Sequence, residues 1–358
     1  MIPVTPTGRT SVFSLPRYWY AACFASALRR RPIGRVVHGV PLVLFRDAAG
    51  RPAALLDRCP HRNAPLSIGR CEGGELQCAY HGWRFDREGA CVAVPGLSPD
   101  GTPPARQYAG RPVDAFRAFE CDGIVWVVPS AEAPVIHEPP MLPHVDTPGY
   151  ATVRRTAQMQ GSVHAAIENA LDVPHTSFLH RGLLRGRRKR VAVEATIRHT
   201  PGRVEAIFEG EPRPPGLAAR LLSPGGGVVE HVDRFVLPSL SQVEYRLGDN
   251  HLVITTAFTP VRPAVTMLHA TVTFRVGAPT WLVRAVVSPI AGQILRQDAR
   301  IIRAQAENIE RFGGERFANT PIDLLGPHIL RMLRRAERGP TDDAQDDVPA
   351  DERVTLYT

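Results

Sequence analysis

Long apolar runs are missing from this chain. The longest are short and interrupted, which argues against a membrane-spanning helix. Residues 1–10 hold no apolar signal core, so no export leader is expected. No internal repeat is found. Cysteine is sparse: of six, Cys23, Cys71, Cys91 and Cys121 follow no pairing pattern and read as small buried hydrophobes, although a disulfide involving Cys71 stays open. Thiols left free suit a reducing compartment, and a cytoplasmic location is the expectation. The net charge of +8 is carried largely by arginine, but aromatic interleaving and nucleic-acid motifs are both lacking. Nucleic acid is therefore excluded as a partner. One dense basic run, Arg181, Arg185, Arg187, Arg188, Lys189 and Arg190, is either a solvated loop or a docking patch for an acidic protein.

What the chain does have is a paired arrangement of thiol and imidazole. Cys59-Pro60-His61 is followed sixteen residues later by Cys78-Ala79-Tyr80-His81. Zinc accepts the same ligand types, but zinc knuckles pair like with like, as Cys-x-x-Cys and His-x-x-His. Here each arm carries one thiolate and one imidazole. That suits a [2Fe–2S] cluster with both cysteines on one iron and both histidines on the other. Neutral imidazoles make such a cluster easier to reduce than a four-cysteine one. A zinc site and a redox disulfide remain the alternatives.

A length of 358 residues with 44% hydrophobic content supports two domains. Residues 16–130 read as short strands and turns, including a hairpin of 41–46 with 52–56 around Asp47-Ala48-Ala49-Gly50. Residues 131–148 are proline-rich and read as a linker. Residues 149–338 read as a mixed domain. Its strands are expected at 191–198, 203–209, 231–237, 242–247, 251–258 and 267–275, and its helices at 162–170 and 281–312. A long antiparallel sheet around a helix is the natural arrangement, so the class is α+β. Residues 339–358 are acidic and polar and are expected to be flexible.

The second domain carries a further constellation. Asn169, Asp172 and His175 are spaced by three and would share a helix face. His180 lies five beyond His175, and a kink at Pro174 could swing the two imidazoles together. Two neutral imidazoles suit iron or zinc. A carboxylate partner is offered by Asp298, on an apolar stripe of Ile294, Leu295, Ile301, Ile302, Ile309 and Phe312, with Gln305 two turns on along the same face. A buried carboxylate must be paired or bind metal, so a buried arginine or a helix-end position is the other explanation for Asp298. Two histidines and a carboxylate leave adjacent positions open on Fe(II).

With these residues in view, the chain resembles the Rieske non-haem iron oxygenases, catalytic α-type component, over nearly its whole length. Cys59-Pro60-His61-Arg62 and Cys78-Ala79-Tyr80-His81-Gly82-Trp83 match the family's cluster loops. Asn169-x-x-Asp172-x-x-His175-x-x-x-x-His180 matches its iron motif, and Asp298 the place of its carboxylate ligand. The resemblance implies a Rieske [2Fe–2S] domain followed by a helix-grip catalytic domain. It implies a mononuclear Fe(II) held by His175, His180 and Asp298, with O₂ as co-substrate. Electrons would come from NAD(P)H through a ferredoxin or reductase, whose acidic surface the arginine run would meet. It also implies a head-to-tail homotrimer in which Asp172 bridges His175 to His81 of the next subunit, a role that orients ligands. Asn169 and His164 fall near the iron as pocket or supporting residues.

The wording of the motifs resembles the monooxygenase and demethylase branch. That implies hydroxylation or oxidative demethylation of a hydrophobic small molecule, aromatic, N- or O-methylated or sterol-like, with cis-dihydroxylation as the alternative. A bare Rieske electron carrier and a zinc-stabilised interaction module are the other classes. Phe235, Leu237, Tyr245 and Phe258 are candidate pocket residues or plain core. Residues 324–335 form an amphipathic pattern that either packs on the sheet or contacts a membrane surface.

Overall fold

The computed structural model describes residues 11–97, 112–132, 137–180, 191–212, 228–277, 279–339 and 349–357. The arginine run at 181–190 lies outside the described residues. The chain divides into two compact units. One holds residues 16–141 with 259–262; the other holds the described residues of 1–15, 142–258 and 263–358. The division at Met141 and Leu142 falls inside the proline-rich stretch.

The first unit is built from short strands: β1 (Tyr20–Phe24), β2 (Ile33–Val37), β3 (Val40–Arg46), β4 (Pro52–Leu56), β5 (Arg70–Glu72), β6 (Glu75–Gln77), β7 (Arg84–Phe85), β8 (Cys91–Ala93), β9 (Ala115–Phe116), β10 (Ala118–Cys121) and β11 (Ile124–Val127). They form sheets in the orders β1-β11-β10, β2-β3-β4-β9 and β5-β6-β7-β8. The β3–β4 turn shows why this sequence folds locally. Asp47 Oδ1 accepts from the backbone N–H groups of Ala49 and Arg51 at 3.0 and 2.8 Å, and Gly50 supplies the left-handed residue at φ 77°. Val43, Phe45, Leu55, Leu66, Leu76 and Phe85 close the core beside Cys59 and Cys78.

The second unit is one eight-stranded sheet: β12 (Ala151–Met159), β13 (Ala192–Thr200), β14 (Arg203–Pro212), β15 (Val228–Val236), β16 (Leu240–Leu247), β17 (Asn250–Arg262), β18 (Val265–Arg275) and β19 (Glu352–Tyr357), in the order β12-β18-β17-β16-β15-β14-β13-β19. Alternation drives it: in β13, Val193, Ala195 and Ile197 are buried while their neighbours are not. Among the described residues four helices accompany the sheet: α1 (Val163–Leu171), α2 (Thr176–Leu179), α3 (Thr280–Arg311) and α4 (Gly326–Arg338). Helix α1 begins at Ser162, whose side chain accepts from Ala165 N–H at 3.1 Å. It packs against β15, β16 and β18, while the long α3 packs against β12 and α1. The fold is α+β, as expected.

One expectation needs correction, and two alternatives fall away. Residues 352–357 are not part of a flexible tail but pair with β13 from Ala192↔Tyr357 to Ile197↔Glu352. The acidic composition hid a β-prone stretch, Val354-Thr355-Leu356, whose Leu356 is 1% exposed. The amphipathic segment is helix α4, but Leu324, Leu325, Ile329 and Leu333 are all buried within the unit, so that face is not left for a membrane. Among the described residues no helix is long and apolar enough to cross one. All six cysteines are free, which removes the disulfide alternative.

Candidate metal centres

The two Cys-His loops of the first unit are built alike. In each, the cysteine N–H donates to the carbonyl five residues on: Cys59 to Ala64 and Cys78 to Trp83, both at 2.8 Å. In each, the cysteine carbonyl accepts from the residue four on, Asn63 at 2.9 Å and Gly82 at 3.1 Å. Asn63 and Gly82 are both left-handed, at φ 62° and 71°. The result is two matching turns joined through the β5–β6 hairpin. They bring the Cys59 and Cys78 thiols within hydrogen-bonding reach and the His61 and His81 rings to 4.4 Å. His61 stacks on Trp83 at 4.8 Å and 7°, and Tyr80 tilts over His81. The thiols are buried and the His81 side is exposed. Burial, helped by neighbouring Cys78, pushes the Cys59 thiol up to about 11. Two buried thiols this close form a paired sulfur donor set, which is the chemistry of a cluster half-site.

In the second unit, helix α1 stops at Leu171. Asp172 is its C-cap, with extended backbone, and Pro174 follows. Asn169, Asp172 and His175 therefore do not share a helix face: three-residue spacing carries side chains together only while the helix lasts, and it ends before Asp172. The break does what a straight helix could not. His175 and His180 bracket the short α2, and their Nε2 atoms stand 3.2 Å apart. Asp298, 7% exposed on α3, brings Oδ1 to 3.1 Å from His180 Nε2 and 3.7 Å from His175 Nε2.

Each donor is held from behind. His175 Nδ1 donates to the Asp172 carbonyl, with the Asp172 carboxylate at 3.5 Å. His180 Nδ1 donates to Gln297 Oε1 at 2.8 Å. The Asn169 amide donates to Asp298. With both Nδ1 atoms protonated, both Nε2 lone pairs face Asp298. Burial lifts the Asp298 carboxyl above its ordinary value against the pull of both imidazoles. Burial lowers His175, but hydrogen bonding and charge from Asp172 and Asp298 outweigh it and the net shift is upward. Asp298 Oδ1 is nevertheless buried without a hydrogen-bond partner. One cation with ligand bonds of about 2.0–2.2 Å places adjacent donors about 3 Å apart; these three atoms, mutually adjacent and otherwise unsatisfied, fit that requirement.

The triad opens on a cavity of about 370 Å³, walled also by Val243, Ile254, Leu268 and Val272, a volume in the small-molecule range. Of the four candidate pocket residues, Tyr245 and Phe258 line it; Phe235 is buried core, and Leu237 does not line it. Gln305 is exposed, as are Ile301 and Phe312, so the apolar stripe on α3 is shorter than its pattern implied. Gln297 was missed. Its only signal is adjacency to Asp298, and no periodicity marks it. His164, buried and bonded to the Gly326 carbonyl at 3.1 Å, has a structural place.

The comparisons with known proteins follow this geometry. Residues 18–117 match the Rieske [2Fe-2S] domain, and residues 159–339 match the vanillate O-demethylase oxygenase C-terminal domain. The chain belongs to this Rieske oxygenase family. Among curated Rieske oxygenases, dicamba O-demethylase, oxygenase component, of Stenotrophomonas maltophilia is 37% identical over 167 residues, 46% of this chain and 47% of the relative. The vanillate O-demethylase oxygenase subunit of Pseudomonas sp. (strain HR199 / DSM 7063) is 33% identical over 166 residues, 45% and 44% of the two chains. The match thus spans about half the length of these relatives. The crystal structure of dicamba monooxygenase bound to 3,6 dichlorosalicylic acid superposes with a TM-score of 0.77 at 25% identity, covering 91% of this chain and 98% of that one.

Proposed function

We propose that this chain is the oxygenase component of a Rieske system that oxidatively demethylates, or hydroxylates, an aromatic small molecule. The observation that carries the reading is the joining of His175, His180 and Asp298 in the wall of an apolar cavity. Cys59, His61, Cys78 and His81 would hold a [2Fe–2S] cluster that supplies single electrons, and the triad an Fe(II) that supplies O₂ chemistry. The donor would be a ferredoxin or reductase drawing on NAD(P)H. The six free thiols support a cytoplasmic setting.

The protein's own part is positioning. Asp172 and Gln297 fix the imidazole tautomers, so that both Nε2 atoms face the metal position. Asn169 holds the Asp298 carboxylate. The apolar wall excludes water and orients the ring with its methyl group toward the triad. In demethylation one oxygen atom of O₂ is inserted into a methyl C–H bond. The resulting hemiacetal, or carbinolamine where the methyl is on nitrogen, collapses to the free hydroxyl or amine and formaldehyde, while the other oxygen leaves as water with the supplied electrons and protons. A head-to-tail trimer is the assembly proposed with this reading. Asp172 supports it: its side chain is 34% exposed while it holds His175, and so is able to reach an imidazole of another subunit.

Iron and inorganic sulfide analysis of anaerobically purified protein, with EPR of the dithionite-reduced form, tests the proposal. Three irons and two sulfides per chain are expected, with formaldehyde release from a methoxy-aromatic in the presence of a reductase. Two irons that added Fe(II) does not raise would reduce the chain to an electron carrier, and a colourless zinc protein would overturn both.

A further inference from the structure

The cavity wall contains a buried His–Asp pair outside the metal positions. On β15, Val229, His231, Asp233 and Phe235 alternate onto the buried face. Two of the four are ionisable, and they are 1% and 2% exposed. His231 Nε2 and Asp233 Oδ1 are 2.9 Å apart. The imidazole is clamped between two rings, Phe208 at 4.4 Å and 14° and Tyr245 at 4.3 Å and 20°, so its orientation is set by stacking. Asp233 lines the cavity. Close by in register, Ser241 on β16 is paired with Thr256 on β17, and both hydroxyl side chains also line it.

Stability does not account for the pair. A buried ion pair replaced by well-packed apolar residues is often neutral or stabilising. The remaining inward residues of this part of the sheet, Val229, Val243 and Ile254, are apolar. A carboxylate, as an acceptor-only group, favours a donor opposite it and costs any anion brought against it. The lining cation among the described residues is Arg155, which is exposed and donates to Ser288 Oγ and the Arg154 carbonyl.

We infer that Asp233, held by His231 in the sheet wall, selects substrates that present an amine or hydroxyl donor to the sheet and disfavours those that present a carboxylate. This rests on the reading of the cavity as the substrate chamber and adds the polar class of the substrate to it. Ser241 and Thr256 line the same cavity and add hydroxyl groups to this part of its wall.

The test is calorimetric titration of the anaerobic holoprotein with three ring-matched methyl ethers: para-methoxybenzylamine, para-methoxybenzyl alcohol and para-methoxybenzoate. The amine binds most tightly and the benzoate least, with a span of about tenfold or more between them. In Asp233→Asn that span collapses to about threefold or less, with iron content and circular dichroism unchanged, and His231→Gln moves it the same way. Tightest binding of the benzoate, an unchanged span in Asp233→Asn, or no binding of any probe would each overturn the inference. The order in the unaltered protein decides even where a variant does not fold. Binding in the expected order without formaldehyde release would instead fail the oxygenase reading and leave the selectivity standing.

Discussion

At the scale of single residues, the metal positions owe their shape to the groups behind the ligands. Asp172 touches His175 and takes no place among the three donors. Asp172→Ala is expected to lower turnover by about a hundredfold with the iron content kept; loss of iron would make its role structural. Gln297→Leu frees His180 Nδ1 and lets the ring rotate. Iron affinity should drop by about tenfold or more, read by competition with a chelator, and a variant that binds iron as before would show the hydrogen bond to be idle. The residues themselves differ in how plainly the sequence announces them. Cys59, His61, Cys78 and His81 lie in two short loops whose spacing is the geometry. Asp298 shows as a carboxylate on an apolar stripe. Gln297 shows nothing, because a side chain that reaches across to another element leaves no period. Asp233 did leave a sign, a charge in the buried alternation of β15, but on a strand that sign is weak until both neighbours in the sheet are known.

At the scale of elements, boundaries decided the outcome. A continuous helix over 162–175 would have kept His175 and His180 apart, and the stop at Leu171 unites them. The spacing of Asn169, Asp172 and His175 looked helical because three-residue intervals are; where the helix ends depends on Pro174 and on the docking of α1 against β15, β16 and β18, and only the proline is local. Helix α4 carries a pH-sensitive contact of its own. His328, 8% exposed, accepts at Nδ1 from Arg331 at 2.8 Å, and His199 Nε2 lies 2.9 Å from the same nitrogen. Burial, then the Arg331 charge, then His199 bring its pKa down to about 4 from 6.5. The folded state thus binds the proton less readily than the unfolded one. The stability this contributes is complete above pH 6.5 and is lost as pH falls toward about 4, by up to about 3 kcal/mol. Thermal melts across that interval should show a steeper fall for the unaltered protein than for His328→Gln; parallel curves would remove His328 as the cause.

At the scale of the whole molecule, the class of each unit was legible and the closure of the large sheet was not. Turn residues and alternation mark hairpins between neighbours in sequence. The pairing of β13 with β19 joins segments separated by most of the second unit, and no local pattern encodes a partner that far away. Deleting residues 349–358 strips β13 of its neighbour and exposes Val193 and Ala195 opposite Leu356 and Val354. A loss of about 2 kcal/mol or more is expected from the buried leucine alone, with self-association through the bared edge. Melting and size-exclusion chromatography check both, and an unchanged profile would mean that β19 contributes nothing to stability.

The origin of the three donors has a kinetic consequence. His175 and His180 come from one break in the chain, and Asp298 from a helix far along it. Iron held among them is a stitch between two segments that the backbone leaves independent. Lifting of α3 from the histidine pair would take Asp298 away and leave a bound iron on two ligands. Extraction by a strong chelator is expected to saturate at that opening rate well below the conditions that unfold the sheet, and a rate that keeps rising with chelator concentration would show that the metal leaves through the cavity instead.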